Sequence, residues 1–212
     1  LRLCGAEFEG NPRVTIHLGD ALTIDPRAQK AAWDALGDRK GAAVALDPKT
    51  GNVLAMVSKP SFDPDALAGH DRSEVTAART KLLEDDDEPL INRAAQSLYP
   101  PGSTFKLVTS AAALSSGRFT PGSQLDAPTQ LQLPQSTAKL QNFGGEVCSA
   151  SGRQSLADAL RISCNTAFGW LGLELGAPAI DEQARKFGFE QSLRIPIPVE
   201  PSRFPADANP PQ

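Results

Sequence analysis

Cysteine and histidine are scarce in this chain, which has three cysteines and two histidines among 212 residues. Cys4, Cys148 and Cys164 form no Cys-x-x-Cys pair, and His17 is far from His70 in sequence. Structural zinc sites need such ligands at short, regular spacings. We therefore expect no metal and no other cofactor, and buried free thiols are the default interpretation of the odd cysteine count.

Excess positive charge and long apolar runs are also lacking. Twenty-one Lys and Arg residues face 25 Asp and Glu, for a net charge of -4, so no basic surface for a phosphate backbone is indicated and nucleic-acid binding is not expected. No apolar run approaches the roughly 18 residues that cross a bilayer, and no signal peptide opens the chain. Because the chain begins with Leu1 rather than Met, we expect an excised piece from which any targeting segment has been removed.

The apolar content of 40% is enough for one substantial core, so one domain plus part of another is expected. Residues 1–20 are rich in turn residues and lack periodicity, and we interpret them as the end of an upstream non-catalytic domain or a linker. Asp25, followed by proline, predicts the start of a helix that ends at Gly37. Two β-prone runs, 42–47 and 52–58, are separated by turn residues and predict a hairpin.

The middle of the chain is more irregular. Residues 62–88 are polar, and their acidic run lacks the spacing and turn glycine of a calcium loop, so we interpret it as a solvated loop. His70 precedes an aspartate, but no Gly-x-Ser-x-Gly elbow completes a triad, which makes a loop histidine the better interpretation. Residues 118–152 predict a long irregular excursion of the kind that is often functional.

Helix signals return near the C-terminal end. Ser155 begins a capping box that predicts one helix, a second is predicted from about Thr166 to Leu175, and a third from Pro178 to before Gly188. From Ile195 onward, repeated prolines exclude regular helix and predict an extended segment.

The stretch Tyr99-Pro-Pro-Gly-Ser-Thr-Phe-Lys106 predicts a turn-rich entry into an apolar helix from Ser103 to Ser116. Lys106 lies one helical turn after Ser103, so its amine is expected to reach the serine hydroxyl directly. The residues of this helix are apolar on almost all sides, so we expect it to be buried in the core. Burial there would lower the pKa of the lysine, and the neutral amine could then act as a base. Ser-x-x-Lys alone is nevertheless a weak pattern, since a serine at a helix start is more often an N-cap.

A second pattern, Ser163-Cys164-Asn165, lies at the joint between two predicted helices and by itself reads as a C-cap followed by an N-cap. Taken together with residues 99–106, with Asn92-Arg93-Ala94 and with the segments 22–25 and 47–51, it resembles the class B penicillin-binding proteins, and in particular their actinobacterial members. Ser-x-x-Lys and Ser-x-Asn are signatures of that serine acyltransferase superfamily. The resemblance covers roughly residues 20–205.

The resemblance implies an α+β fold of the penicillin-binding protein and serine β-lactamase type, an antiparallel sheet flanked by helices. Residues 21–212 would be the N-terminal, incomplete portion of the transpeptidase domain, because only two strands are convincing. The family also requires a Lys-Thr-Gly motif on a later strand. Lys49-Thr50-Gly51 precedes Ser103 and lies in the predicted hairpin turn, so we reject it as catalytic and expect the third motif beyond Gln212.

The implied activity is that of a serine D,D-transpeptidase that cross-links peptidoglycan stem peptides ending in D-Ala-D-Ala. Lys106 would deprotonate Ser103, which forms the acyl-enzyme and is also the residue that β-lactams acylate. Ser163 would relay a proton to the leaving group. Asn165 would bind the substrate amide and help to hold Lys106, and the Ser103 backbone N–H would be half of the oxyanion hole. Ser103, Ser163 and Asn165 are thus also the expected substrate-binding residues.

The resemblance also implies a cellular setting. Class B enzymes work on the extracytoplasmic face of the cell membrane, so we expect a membrane anchor upstream of this chain and partners among the proteins of cell-wall synthesis, cell shape or cell division. Disulfides persist there, which suggests a Cys148–Cys164 bridge beside Ser163 and Asn165. Two alternatives remain open: a serine β-lactamase, for which no deacylating group is identified, and a non-enzymatic β-lactam or muropeptide sensor.

Overall fold

A computed structural model describes residues 22–193 and 195–205, which form two compact units. The segment 1–20, interpreted above as the end of an upstream domain or a linker, lies outside the described residues. Cys4 lies outside them as well.

The first unit comprises the described residues from Leu22 to Leu98, together with Leu193 and the segment Ile195–Glu200. It begins with helix α1 (Pro26–Leu36), followed by the antiparallel strands β1 (Gly41–Leu46) and β2 (Val53–Lys59). The helix and the hairpin predicted from the sequence are both confirmed.

Local hydrogen bonds explain the start of this unit. The Asp25 carboxylate accepts from the backbone N–H groups of Arg27 and Ala28 at 2.8 and 3.3 Å, which satisfies amides that the first helical turn leaves without partners. The side-chain amide of Gln29 donates to the Met56 carbonyl and accepts from the Met56 N–H, both at 2.8 Å. These two bonds fix α1 on strand β2.

The polar region 62–88 is more regular than its sequence predicted. It contains a short 3-10 helix (Pro64–Leu67) and the twelve-residue helix α2 (Arg72–Leu83), whose first amides are capped by Asp71. No residue of α2 is fully buried, and only Val75, Ala78 and Leu82 are half-buried, so its apolar stripe is narrow and was not recognised in the sequence. The acidic run 84–88 that follows is an exposed loop, as expected.

The short helix α3 (Arg93–Gln96) closes the first unit. Its Arg93 is buried, and the guanidinium donates to the backbone carbonyls of Glu88, at 3.0 Å, and Asp87. The acidic loop therefore binds this cation through main-chain oxygens.

The second unit, Tyr99–Ser192 with residues Pro201–Pro205, carries both sequence motifs. Its elements in chain order are a 3-10 turn (Gly102–Phe105), α4 (Lys106–Ser115), β3 (Gln124–Asp126), β4 (Gln130–Gln132), β5 (Lys139–Gln141), a second 3-10 turn (Phe143–Gly145), β6 (Arg153–Ser155), α5 (Leu156–Arg161), α6 (Asn165–Leu175) and α7 (Ala177–Lys186). The three helices predicted after Ser155 are confirmed.

The region 118–152 and the strand count correct the sequence-based expectation. The predicted irregular excursion contains strands β3, β4 and β5, so the described residues hold six strands rather than the two considered convincing. They form three two-stranded antiparallel sheets, β1–β2, β3–β6 and β4–β5. Strands β3 to β6 have three residues each, too few for an alternating apolar pattern to be recognised.

The core of the second unit centres on α6. Its buried apolar residues come from α4, β3, α5, α6 and the segments between them, and include Leu125, Leu156, Ala159, Phe168 and Leu171. Helix α4 is less enclosed than predicted. It buries one face, whereas Leu107 and Leu114 on the opposite side are 57% and 44% exposed.

Candidate active site

The first motif lies at the junction between a 3-10 turn and α4. The α-helix begins at Lys106, and Ser103 lies in the Gly102–Phe105 turn that leads directly into it, so the helix starts later than predicted. Gly102 has a φ of +54°, a left-handed conformation that glycine adopts without steric cost. Phe105 packs edge-on against Phe189, with ring centroids 5.7 Å apart. This packing fixes the turn against the rest of the unit.

The second motif begins at the C-terminal end of α5. Ser163 has a φ of +58°, its N–H donates to the Leu160 carbonyl at 3.1 Å, and the Cys164 N–H donates to the Ala159 carbonyl at 2.9 Å. These two bonds are those of a Schellman motif, in which the left-handed position is usually glycine. A serine there carries backbone strain, a feature that clusters at functional sites.

Asn165 is the first residue of α6, and its side chain is held on both sides. Its Nδ2 donates to the Gln141 carbonyl at 3.1 Å, while its Oδ1 accepts from the Lys106 ammonium at 2.7 Å. Since a carbonyl can only accept and an ammonium can only donate, these two partners determine the orientation of the side-chain amide.

A continuous hydrogen-bonded path links the two motifs. Lys106 Nζ donates to Asn165 Oδ1 and also to Ser163, to its carbonyl at 2.6 Å and to its Oγ at 3.0 Å. Ser163 Oγ in turn donates to Ser103 Oγ at 2.9 Å. The structure thus brings together all four residues singled out from the sequence: Ser103, Lys106, Ser163 and Asn165.

One detail differs from the sequence-based expectation. Within the described residues, Lys106 makes no direct hydrogen bond to Ser103, and Ser163 Oγ stands between them. The three donors of the Lys106 ammonium are all taken by the Ser163 carbonyl, the Ser163 hydroxyl and the Asn165 side chain. The shortest hydrogen-bonded connection from the nucleophile candidate to the amine therefore passes through the second motif.

Exposure and charge separate the roles within this site. Ser103 and Ser163 are exposed, whereas Lys106 is 9% exposed. Burial lowers the pKa of the Lys106 ammonium below its ordinary value. Its acceptors are neutral oxygens, and in the described part of the chain it forms no ion pair with a carboxylate that would raise that pKa strongly. The arrangement can therefore present a neutral amine next to a solvent-accessible hydroxyl.

A disulfide joins Cys148 to Cys164, with the two Cα atoms 5.9 Å apart. Cys164 lies between Ser163 and Asn165 and is fully buried. The bond connects the loop that follows β5 to the start of α6, beside both residues of the second motif.

The remaining sequence candidates lie elsewhere. Lys49-Thr50-Gly51 forms the β1–β2 turn in the first unit, where the Asp47 carboxylate accepts from the Lys49 N–H and the Thr50 hydroxyl, both at 2.9 Å. His70 lies in a loop. In the described residues no group of three histidine, cysteine, aspartate or glutamate side chains could hold a metal ion. None of the described helices has the length and hydropathy of a membrane span.

An exposed serine, a buried lysine and the Ser-x-Asn joint reproduce in one place the two motifs expected of the serine acyltransferase superfamily. The family model of the penicillin-binding protein transpeptidase domain matches residues 41–207, and the chain belongs to this family. The family and the transpeptidase fold expected from the sequence are both confirmed.

The chain is also similar to individual curated proteins. The chain is 48% identical over 186 residues to the peptidoglycan D,D-transpeptidase PbpA of Mycolicibacterium smegmatis, which covers 85% of this chain and 38% of that protein. It is 34% identical over 181 residues to the peptidoglycan D,D-transpeptidase MrdA of Escherichia coli, covering 85% and 28%. The chain therefore spans well under half the length of these curated relatives.

A solved structure agrees with these relatives. Penicillin-binding protein A of Mycobacterium tuberculosis, in a penicillin G acyl-enzyme complex, is similar with a TM-score of 0.81 and 46% identity, covering 85% of this chain and 43% of that one.

Proposed function

We propose that this chain carries the nucleophile and base of a peptidoglycan D,D-transpeptidase that works through an acyl-enzyme and is inhibited covalently by β-lactams. The hydrogen-bonded path from Ser103 through Ser163 to Lys106 is the observation that carries this proposal. The names of the relatives support it, since they are peptidoglycan D,D-transpeptidases and one structure is a penicillin acyl-enzyme.

Acylation uses the same path with both hydrogen bonds reversed. When the Lys106 amine is neutral it accepts from the Ser163 hydroxyl, which in turn accepts from Ser103. Ser103 then passes its proton through Ser163 to Lys106, and Ser103 Oγ forms a bond to the carbonyl carbon of the penultimate D-alanine. The electron pair of the carbonyl moves onto its oxygen, where the Ser103 N–H would stabilise it. When the carbonyl re-forms, the bond to the terminal D-alanine breaks, and its nitrogen takes the proton back from Lys106 through Ser163.

The second half of the reaction reverses these roles. An amine from a neighbouring stem peptide attacks the ester carbonyl and gives its proton to Lys106, and Ser103 leaves and recovers its own proton. Asn165 is well placed to hold Lys106 through this cycle, because it binds the ammonium at 2.7 Å while its own amide is fixed by the Gln141 carbonyl. Its remaining hydrogen-bonding capacity would serve the substrate amide.

The cellular setting is part of the same proposal. A transpeptidase of this kind acts on the extracytoplasmic face of the cell membrane, so a membrane anchor upstream of this chain and partners in cell-wall synthesis or division are expected. Residues 21–212 would be the N-terminal portion of the catalytic domain, with the Lys-Thr-Gly motif supplied from residues after Gln212.

The test uses the full-length protein with a fluorescent penicillin and intact-mass spectrometry. The wild type should gain the mass of one penicillin, and Ser103→Ala should gain none. Lys106→Ala should acylate at least 100-fold more slowly, because general-base catalysis contributes about 10²- to 10⁴-fold. Ser110→Ala is a matched control on α4, since the buried Ser110 hydroxyl has no hydrogen-bond partner to lose.

The outcomes also separate the alternatives. An adduct that persists in Ser103→Ala would refute the assignment of the nucleophile. Rapid release of hydrolysed penicillin would indicate a β-lactamase. Stable acylation without any cross-linking of stem peptides would indicate a sensor.

A further inference from the structure

Helix α6 lacks an N-cap of its own. Cys164 occupies the cap position, and its side chain accepts no hydrogen bond from the backbone N–H groups of the helix. The cap comes instead from Asn142, in the loop after β5, whose Oδ1 accepts from the N–H groups of Asn165 and Thr166 at 2.8 and 3.1 Å. A side chain more than twenty residues away in sequence therefore satisfies the first amides of the helix that begins with Asn165.

The same loop also holds the side chain of Asn165. The carbonyl of Gln141, the residue before Asn142, accepts from Asn165 Nδ2 at 3.1 Å. Asn142 itself is held in place because its Nδ2 donates to the Glu146 carbonyl at 2.9 Å. Residues 141 and 142 thus bind Asn165 through both its main chain and its side chain, and Asn165 in turn binds Lys106.

Close packing fixes this loop on α6. A Cβ atom built on Gly169 would lie 2.5 Å from Leu140 Cδ2 and 2.8 Å from Leu131 Cδ2, closer than real Cβ contacts. The β4–β5 hairpin therefore reaches the helix backbone through the space that glycine leaves. The hairpin ends immediately before Asn142, so this contact determines where Asn142 meets the start of α6.

We propose that Asn142 is a positioning residue for the acylation reaction, which caps α6 from a distance so that Asn165 holds Lys106 in line with Ser163. This inference rests on the proposed function for its kinetic consequence, whereas its structural part, the capping of α6, is independent of that function.

The experiment compares Asn142→Ala and Asn142→Asp in the full-length protein. Asn142→Ala removes the acceptor, so fluorescent-penicillin acylation should slow roughly tenfold or more, as expected when a catalytic group is slightly displaced. Asn142→Asp keeps an acceptor at the cap but loses the amide that donates to the Glu146 carbonyl, so its rate at its own pH optimum should lie between those of Asn142→Ala and the wild type. The acylation rate of Asn142→Asp should also rise with pH at a midpoint roughly half a pH unit or more above that of the wild type. The reason is that a nearby carboxylate stabilises the lysine ammonium and so raises the pKa of Lys106.

A second readout does not depend on acylation. Amide hydrogen exchange at Asn165 and Thr166 should become about fivefold faster in Asn142→Ala, which corresponds to the loss of one helix cap. Asp71→Ala is the matched control, because Asp71 caps helix α2 of the first unit with two similar bonds to backbone amides. It should change neither the acylation rate nor exchange at the start of α6.

The outcomes distinguish the two proposals. If the wild type is not acylated at Ser103, the proposed function fails, while the exchange data still test the cap. Unchanged exchange at Asn165 in Asn142→Ala overturns the inference. Should Asn142→Ala fail to fold, Asn142→Leu takes its place, because leucine has nearly the shape of asparagine without its acceptor, and unchanged exchange at Asn165 in that variant overturns the inference as well.

Discussion

Replacing Ser163 by glycine should separate stability from activity. Ser163 occupies the left-handed position after α5 with a φ of +58°, and its hydroxyl is also the link between Lys106 and Ser103. Ser163→Gly and Ser163→Ala both delete that hydroxyl. Only the glycine variant relieves the backbone strain.

The magnitudes follow from the geometry. A residue with a Cβ in the left-handed conformation is destabilised by about 1–2 kcal/mol. Glycine avoids this strain but loses more conformational entropy on folding, which offsets roughly 0.5–1 kcal/mol of the gain. Ser163→Gly should therefore be more stable than Ser163→Ala by about 1 kcal/mol. Both variants keep the bonds from Lys106 to the Ser163 carbonyl and to Asn165, at 2.6 and 2.7 Å in the wild type. Both should therefore lose a similar 10²- to 10⁴-fold in acylation rate, the range typical of a proton-transfer group.

Two measurements on the full-length protein test this reasoning. Urea unfolding should rank the glycine variant above the alanine variant, and stopped-flow acylation should find the two equally slow. Equal stabilities, or a more stable alanine variant, would show that the left-handed backbone is unstrained. A glycine variant that acylates within tenfold of wild type would show that the proton does not pass through the Ser163 hydroxyl.

Four further outcomes are expected. The acylation rate should rise with pH around a midpoint below 10.5, the ordinary pKa of lysine, because burial lowers the pKa of Lys106. The free energy of unfolding, compared with that of Lys106→Met, should also rise with pH between the pKa of Lys106 in the folded protein and its pKa in the unfolded chain. In that range the unfolded chain binds one proton more than the folded protein. Gly169→Ala should destabilise the protein by about 1–2 kcal/mol and slow acylation, because its Cβ would lie 2.5 and 2.8 Å from two leucine side chains. Gly172→Ala is the control, since its Cβ would lie 3.8 Å from an isoleucine methyl group. That variant should be more stable than the wild type by up to about 1 kcal/mol, because alanine favours the helix over glycine. Alkylation of oxidatively folded protein should leave Cys148 and Cys164 unmodified, and alkylation of both cysteines would contradict the disulfide. Cys148→Ala should lower the free energy of unfolding by about 3 kcal/mol, the value expected from the entropy of the loop that the disulfide closes. The 212-residue chain expressed alone should acylate at least tenfold more slowly than the full-length protein, and a rate within tenfold would mean that the third motif is dispensable or lies within this chain.

Local signals in the sequence were sufficient for much of the fold. Asp25 before proline predicted the start of α1, and Ser155 with its capping box predicted α5, because a cap acts within one turn of the residue that carries it. Helix α2 was missed because its apolar stripe is narrow and none of its residues is fully buried. The strands of the second unit were missed because three residues are too short to show alternation.

The residues of the candidate site were predicted from the sequence, but their arrangement relative to one another was not. The sequence by itself determined the residue types, since Ser-x-x-Lys and Ser-x-Asn are each contained within a single turn or joint. Tertiary structure alone decided that Ser163 stands between Ser103 and Lys106, and that Asn142 caps the helix of Asn165. These contacts join residues that are distant along the chain, and they depend on how the β4–β5 hairpin and α5 pack around α6, which no local pattern encodes.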